Sequence, residues 1–101
     1  MKKIALILVT VLSVTLFTEA RCYTEKVGGL DRYGDNFLSI RTGPSTKYRI
    51  KDTLHNGDAV GVCEHSGKWK LVYYGTGQCY LKRGEPIGDC KSGWAYGKYL
   101  R

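Results

Sequence analysis

The sequence lacks the motifs that mark most enzyme active sites. It contains no serine nucleophile elbow and no glycine-rich phosphate loop before a helix. Its two histidines, His55 and His65, fall in a turn and near a hairpin tip, and no two carboxylates have a spacing typical of acid–base catalysis. All four cysteines are expected to be oxidised, which removes a thiol nucleophile. We therefore expect no catalytic residues, no enzymatic activity and no cofactor.

A second long apolar run is also missing. The one such run, Ile4 to Phe17, follows two lysines and precedes the small residues around position 20, a pattern typical of a cleaved secretory signal. The run is shorter than the roughly 20 apolar residues that a membrane-spanning helix needs. We expect residues 1–20 to be a signal peptide and residues 21–101 to form one domain, periplasmic or secreted, with no membrane span.

Two alternatives to a simple cleaved signal remain open. The apolar run would act as a membrane anchor if it were not removed. Cys22 would be lipid-modified if it became the first residue of the exported chain. The lipoprotein pattern has a small residue just before the cysteine, whereas this chain has Arg21 there.

Basic residues are numerous but never form a run. The chain holds 16 Lys and Arg against 9 Asp and Glu, a net charge of +7. Without residues 1–20 the counts become fourteen and eight, a net charge of +6. An exported basic chain meets anionic lipids, wall polymers and acidic proteins, so nucleic acid is not an expected partner. Scattered charges of this kind also fit a solvated surface that keeps the protein soluble.

Four cysteines in a short exported chain predict a disulfide framework. Three connectivities are possible, and we favour Cys79 with Cys90 and Cys22 with Cys63. The first pair brackets a loop rich in glycine that needs a brace, and the second ties down an N-terminal arm. A zinc site is a weaker interpretation and we expect no metal, because the cysteines show no second close pair with zinc spacing.

The rest of the sequence predicts an all-β domain. The stretch Leu38 to Ser45 alternates apolar and polar residues and then turns at Gly-Pro. Short segments of the same kind follow at regular spacing, separated by turn residues, which predicts a meander of antiparallel strands that closes into a small barrel. The predicted strands are 37–41, 48–54, 59–63, 69–74 and 93–96. Residues 75–92 interrupt this rhythm, and 97–100 are expected to form one tight helical turn that returns Leu100 to the core.

Several of these segments together resemble bacterial Src homology 3 domains. The resemblance is carried by Leu-Ser-Ile-Arg-Thr-Gly-Pro-Ser at 38–45, Leu-His-Asn-Gly-Asp at 54–58, Gly-Lys-Trp at 67–69, Ser-Gly-Trp at 92–94 and Tyr-Leu at 99–100. It covers roughly residues 36–101. It implies a small open barrel of five to six short antiparallel strands, built from two orthogonally packed sheets. The insertion between Tyr74 and Gly93 departs from the plain family pattern, and a cysteine-closed loop there resembles a subgroup of exported proteobacterial proteins.

The resemblance implies binding rather than catalysis. Members of the family serve as recognition modules in the cell envelope, so the implied ligand is a peptidoglycan peptide or an extended segment of an envelope protein. Src homology 3 folds generally grip an extended peptide in a groove of aromatic side chains. Candidate ligand-binding residues are Tyr48, Trp69, Trp94, Tyr96 and Tyr99. The alternative is that the tryptophans belong to the barrel core and the tyrosines cover its ends. Arg41 is expected to brace the Gly-Pro turn rather than to bind a ligand.

A second functional class stays open at this point. A secreted or periplasmic interaction protein, such as an inhibitor or an immunity-like factor, would recognise its partner through the disulfide-closed loop 80–89. Lys82 and Arg83 on that loop suit contact with a protein partner. The sequence does not identify the ligand or the oligomeric state.

Overall fold

The computed structural model describes residues 21–75 and 77–101. The expected signal peptide, residues 1–20, lies outside this part of the chain. Within these described residues, eight strands and one short 3₁₀ helix follow one another: β1 (Tyr23–Lys26), β2 (Leu38–Arg41), β3 (Ile50–Leu54), β4 (Ala59–Ser66), β5 (Trp69–Tyr74), β6 (Cys79–Lys82), β7 (Glu85–Gly88), β8 (Lys91–Tyr96) and the 3₁₀ helix Gly97–Tyr99. No helix in the described ranges is long and apolar enough to span a membrane.

Six of the strands form one antiparallel sheet in the order β1-β4-β5-β8-β2-β3, and β6 pairs with β7 in a separate two-stranded sheet. The C-terminal residues fold back on the first strand. Lys26 and Arg101 exchange two backbone hydrogen bonds of 3.1 and 3.0 Å, and a bridge joins Val27 to Leu100. The sheet therefore curls on itself into the barrel-like all-β fold that the strand pattern predicted.

The core is filled by the inward side chains of alternate strand positions. In β8, for example, Gly93 and Ala95 are buried while Trp94 and Tyr96 point outward. Ten apolar residues make up the buried cluster: Val27, Leu38, Ile40, Leu54, Val60, Val62, Val72, Tyr74, Ala95 and Leu100. Because Leu100 is 5% exposed and follows the 3₁₀ helix, the predicted return of the C-terminus to the core is confirmed.

Two elements were not predicted from the sequence. The segment just after Cys22, expected to be part of a loose arm, is strand β1 and pairs with β4 from Tyr23 opposite Val62 to Lys26 opposite Ala59. Its four residues show no buried side chain, so the period-2 signal of a half-buried strand is missing. The interruption at 75–92 contains the β6–β7 hairpin, whose two-residue turn uses positive φ at Arg83 (56°) and Gly84 (79°).

Both predicted disulfides are present, Cys22–Cys63 and Cys79–Cys90, and the described residues contain no free cysteine. Cys63 is the extra residue of a β-bulge in β4, since Val62 lies opposite Val72 while Glu64 lies opposite Leu71. The first disulfide therefore fastens the edge strand β1 to β4, and the second closes the base of the hairpin.

The hairpin lies against the outer side of β4. A side chain at Gly61 would come within 2.8 Å of the Leu81 side chain, so glycine is needed where the two elements meet. At the other end of the hairpin, the Cys22 N–H donates to the Gly84 carbonyl at 2.8 Å. The hairpin is thus fixed at its base, its middle and its tip.

The two disulfides are expected to contribute unequally to stability. They close loops with sequence separations of 41 and 11 residues. Loop-closure entropy then gives about 4 kcal/mol for Cys22–Cys63 and about 3 kcal/mol for Cys79–Cys90. Urea unfolding of the two double cysteine-to-alanine variants, followed by tryptophan fluorescence, measures both values. A larger loss in the free energy of unfolding for the variant without Cys79–Cys90 would contradict the expectation that Cys22–Cys63, which closes the longer loop, stabilises the protein more.

Candidate functional site

A groove of about 440 Å³ opens on the outside of the sheet, where residues distant in sequence meet. Its lining comes from three places: the loop after β1, strand β2 with the turn that follows it, and the aromatic residues of β5, β8 and the 3₁₀ helix. The lining residues are Leu30, Asp31, Gly34, Asp35, Phe37, Leu38, Ser39, Arg41, Thr46, Trp69, Tyr96 and Tyr99. Three of the predicted ligand-binding aromatics are therefore brought into one groove.

These three aromatic side chains form a contiguous cluster. The β5–β8 register sets Trp69 directly opposite Tyr96, and their ring centroids lie 5.6 Å apart in an edge-to-face arrangement. The ring of Tyr99 follows at 6.3 Å from that of Tyr96. Strand alternation explains their placement. Tyr96 alternates with the buried Ala95 in β8, and Trp69 lies at a position of β5 that alternates with the buried Val72 and Tyr74. The cluster offers several aromatic faces and edges to a ligand.

The tryptophans lie on the outer face rather than in the core. Trp69 and Trp94 are both half-buried, and neither belongs to the buried cluster. Tyr99 is also half-buried and packs against the core from one side. The interpretation of the tryptophans as barrel core therefore does not describe this arrangement.

The loop after β1 forms a wall of the groove and is held in place by polar contacts. Leu30 and Asn56 exchange two hydrogen bonds, from the Leu30 N–H to Oδ1 at 3.2 Å and from Nδ2 to the Leu30 carbonyl at 3.3 Å. The Gly28 N–H donates to the Tyr99 carbonyl at 2.9 Å. These bonds anchor the start of the loop to the β3–β4 turn and to the 3₁₀ helix.

The sequence pattern did not indicate that this loop is part of a site. Phe37 is 39% exposed and lines the groove, as do Asp31 and Asp35. The only sequence signal was an aromatic residue that follows a Gly-Asp-Asn turn, and an aromatic at the start of a strand is as readily explained by packing. The fold was needed to bring this segment beside Trp69 and Tyr96.

Arg41 braces the turn after β2, as predicted. Its Nη1 donates to the carbonyl of Thr46 at 3.2 Å and to that of Tyr48 at 2.9 Å. The same side chain lines the groove. Arg41 therefore has a structural role and also puts a guanidinium beside the aromatic cluster.

The remaining predicted residues lie outside the groove lining. Tyr48 is 48% exposed, and its ring lies so close to Gly43 that any side chain at position 43 would overlap it. Trp94 stands between Leu71 and Arg41 on the outer face of the sheet. Lys82 and Arg83 are exposed on the β6–β7 hairpin. The predicted set thus divides between the groove, the sheet beside it and the hairpin.

A second cleft of about 480 Å³ lies near the ends of β3 and β5, where Tyr74 is buried and Asp52 is half-buried. The pKa of the Asp52 carboxyl is below its ordinary value, chiefly because the Thr53 N–H donates to Oδ1 at 2.9 Å. The Tyr74 hydroxyl, which donates to Oδ2 at 3.0 Å, and the nearby Lys91 lower this pKa further, against the opposing effect of burial. Burial and the same carboxylate raise the pKa of Tyr74. The described ranges contain no group of three potential metal ligands.

Acid is expected to destabilise the protein in part through Asp52. Because its pKa is lower in the folded than in the unfolded chain, its stabilising contribution is complete above the ordinary value of about 4 and is lost as the pH falls through the folded value. The free energy of unfolding should therefore fall less between pH 5 and pH 2 in Asp52→Asn than in the parent protein. Denaturant titrations across this range measure the difference. The exposed Glu85→Gln is the matched control, and equal slopes for the parent and Asp52→Asn would contradict the assignment.

Comparison with protein-family models, with characterised proteins and with solved structures found no match to this chain.

Proposed function

We propose that this protein is an exported, non-catalytic binding module of the bacterial Src homology 3 type that recognises extended peptides of the cell envelope, above all those of peptidoglycan. The observation that carries the proposal is the groove in which Trp69, Tyr96 and Tyr99 form one aromatic cluster. Grooves of this kind bind extended peptides, because flat aromatic faces pack against a peptide backbone at little cost in side-chain entropy.

The covalent structure supports an envelope location. Two disulfides fit an oxidising compartment such as the periplasm or the cell exterior. A domain of about 80 residues buries a limited core, so two cross-links suit a protein that must stay folded outside the cell. The basic net charge, +6 without residues 1–20, also favours adsorption to anionic wall polymers.

Removal of one aromatic side chain from the groove should weaken binding to cell walls. We expect Tyr96→Ala to reduce the apparent affinity for purified, protein-free walls about tenfold, the typical effect of truncating an aromatic anchor. Cosedimentation at increasing wall concentration measures this. Tyr80→Ala is the matched control, because Tyr80 is 57% exposed on the hairpin and away from the groove lining. Equal loss in both variants, or wall binding unchanged by Tyr96→Ala, would contradict the proposal.

The hairpin supports a second candidate function, that of an inhibitor or immunity-like factor which binds an enzyme. The observation in its favour is that β6–β7 is closed by Cys79–Cys90 and anchored at its tip by the bond from Cys22 to Gly84. A loop held this firmly loses little entropy when it binds a protein. It also presents Tyr80 and Arg83 to the outside.

A single pair of variants separates the two functions. A protein partner that binds the hairpin should no longer be captured by Arg83→Ala but should still be captured by Tyr96→Ala. A ligand of the groove should still bind Arg83→Ala but not Tyr96→Ala. Affinity capture from the periplasm and the culture medium, with the oxidised protein as bait, provides the comparison.

A further inference from the structure

The charges in the groove differ from those of the chain as a whole. Basic residues outnumber acidic ones 16 to 9 in the full sequence. The groove lining reverses this balance, with the two carboxylates of Asp31 and Asp35 against the single guanidinium of Arg41. The two signs also occupy different walls, since the aspartates belong to the loop after β1 and Arg41 belongs to β2.

The two aspartates keep their charge available to a ligand. Both are exposed, and neither forms a salt bridge with another residue in the described part of the chain. Asp31 accepts one hydrogen bond through Oδ1, from the Tyr33 N–H at 2.9 Å. Its second oxygen and the carboxylate of Asp35 make no side-chain hydrogen bond within the described ranges.

The guanidinium of Arg41 also keeps hydrogen-bond donors available to a ligand. Its two hydrogen bonds, to the carbonyls of Thr46 and Tyr48, both come from Nη1. Because a guanidinium has five N–H donors, Nη2 and Nε keep donors that a carboxylate can accept from. The bonds through Nη1 meanwhile hold the side chain in position, which reduces the entropy lost when a ligand binds.

We propose that the groove binds an extended peptide that carries both a free ammonium group and a free carboxylate. The ammonium group lies beside Asp31 and Asp35 and against the neighbouring aromatic faces, which also attract cations. The carboxylate accepts hydrogen bonds from Arg41. This inference rests on the proposed function and specifies its ligand.

The arrangement distinguishes two chemical states of a wall peptide. A stem peptide that has not been cross-linked keeps the ammonium group of its diamino acid and its C-terminal carboxylate. In a cross-linking transpeptidation, the amide bond to the terminal amino acid of one peptide is broken and its acyl group is transferred to such an amine of a second peptide. The second peptide thereby loses its ammonium group, and the first loses its terminal carboxylate with the released amino acid, so neither peptide keeps both charges. A groove that requires both charges therefore selects stem peptides that are not cross-linked.

Three versions of one peptide test the proposal without any change to the protein. The probe is a synthetic wall stem pentapeptide with lysine at its third position, used unmodified, acetylated on the lysine amine, or amidated at the C-terminus. Isothermal titration calorimetry with the purified, oxidised protein measures the three affinities. We expect each modification to weaken binding about five- to tenfold, the range set by one exposed or partly desolvated charge pair.

Variants then assign each charge to its side chain. In the double variant Asp31→Asn, Asp35→Asn the acetylated and unmodified peptides should bind equally, while amidation still weakens binding. In Arg41→Lys the effect of amidation should shrink, while that of acetylation stays. Because Arg41 also braces a turn, the near-ultraviolet circular dichroism of this variant must match the parent. Glu85→Gln, which removes one exposed carboxylate from the hairpin outside the groove lining, serves as the control and should preserve all three affinities.

The outcomes separate this inference from the function on which it rests. Equal binding of the three peptides would overturn the requirement for charge and leave a groove that binds through its aromatic residues. Loss of discrimination in Glu85→Gln would also overturn it, because the effect would then follow net charge rather than position. If none of the peptides binds but the protein still binds cell walls and loses that binding in Tyr96→Ala, the proposal that the ligand is a stem peptide would be overturned. If the protein binds neither cell walls nor any of the peptides, the proposed function itself would be overturned.

Discussion

The close packing of Ile40 against Gly93 is the contact on which the rest of the structure depends. Any side chain at position 93 would overlap Ile40, whose own side chain is completely buried. The missing side chain lets β2 and β8 approach each other with Gly93 and Ala95 turned inward. Trp94 and Tyr96 must then turn outward, because a slip of one residue would exchange the two faces of the strand. The core and the aromatic groove are thus two consequences of one register.

Covalent and ionic links hold the parts of the sheet that the core does not reach. Strand β1 has no buried side chain, and it is fastened to β4 by Cys22–Cys63. On the same strand, Glu25 pairs with Lys70 of β5 at 2.8 Å, and both side chains are less than one-fifth exposed. At the opposite edge, the N–H of Thr53 in β3 is bonded to the side chain of Asp52 rather than left open to another strand. Strand β1 is therefore held to the sheet by links other than core packing, and in β3 the Thr53 N–H already has a side-chain partner.

Sequence predicted the fold well wherever the chain alternates apolar and polar residues. The strands around Ile40, Val62 and Val72 were located because each has buried side chains at alternate positions, and both disulfides followed from the need to brace a loop and an arm. Strand β1 escaped prediction, since a strand held by cross-links and main-chain bonds leaves no hydrophobic pattern. The β6–β7 hairpin was not predicted either, because it is held in place by the Cys79–Cys90 disulfide and by its contact with Gly61 rather than by a hydrophobic pattern.

The site was predictable only in part, and for a physical reason. Trp69, Tyr96 and Tyr99 were candidates from the aromatic content and from the resemblance to Src homology 3 domains, but their meeting in one groove depends on long-range strand pairing. Asp31 and Asp35 lie in a segment that is typical of turns and Phe37 begins a predicted strand, and only the fold brings these residues to the aromatic cluster.

The central claim, that this aromatic groove is where an extended envelope peptide binds, is tested most directly by mapping the bound ligand on the protein. Backbone amide and indole resonances of the isotopically labelled protein would be followed by nuclear magnetic resonance during titration with soluble peptides released from cell walls. The account predicts shifts concentrated at Phe37, Trp69, Tyr96 and Tyr99. Shifts confined to residues 79–90 would contradict it and would identify the hairpin as the binding surface.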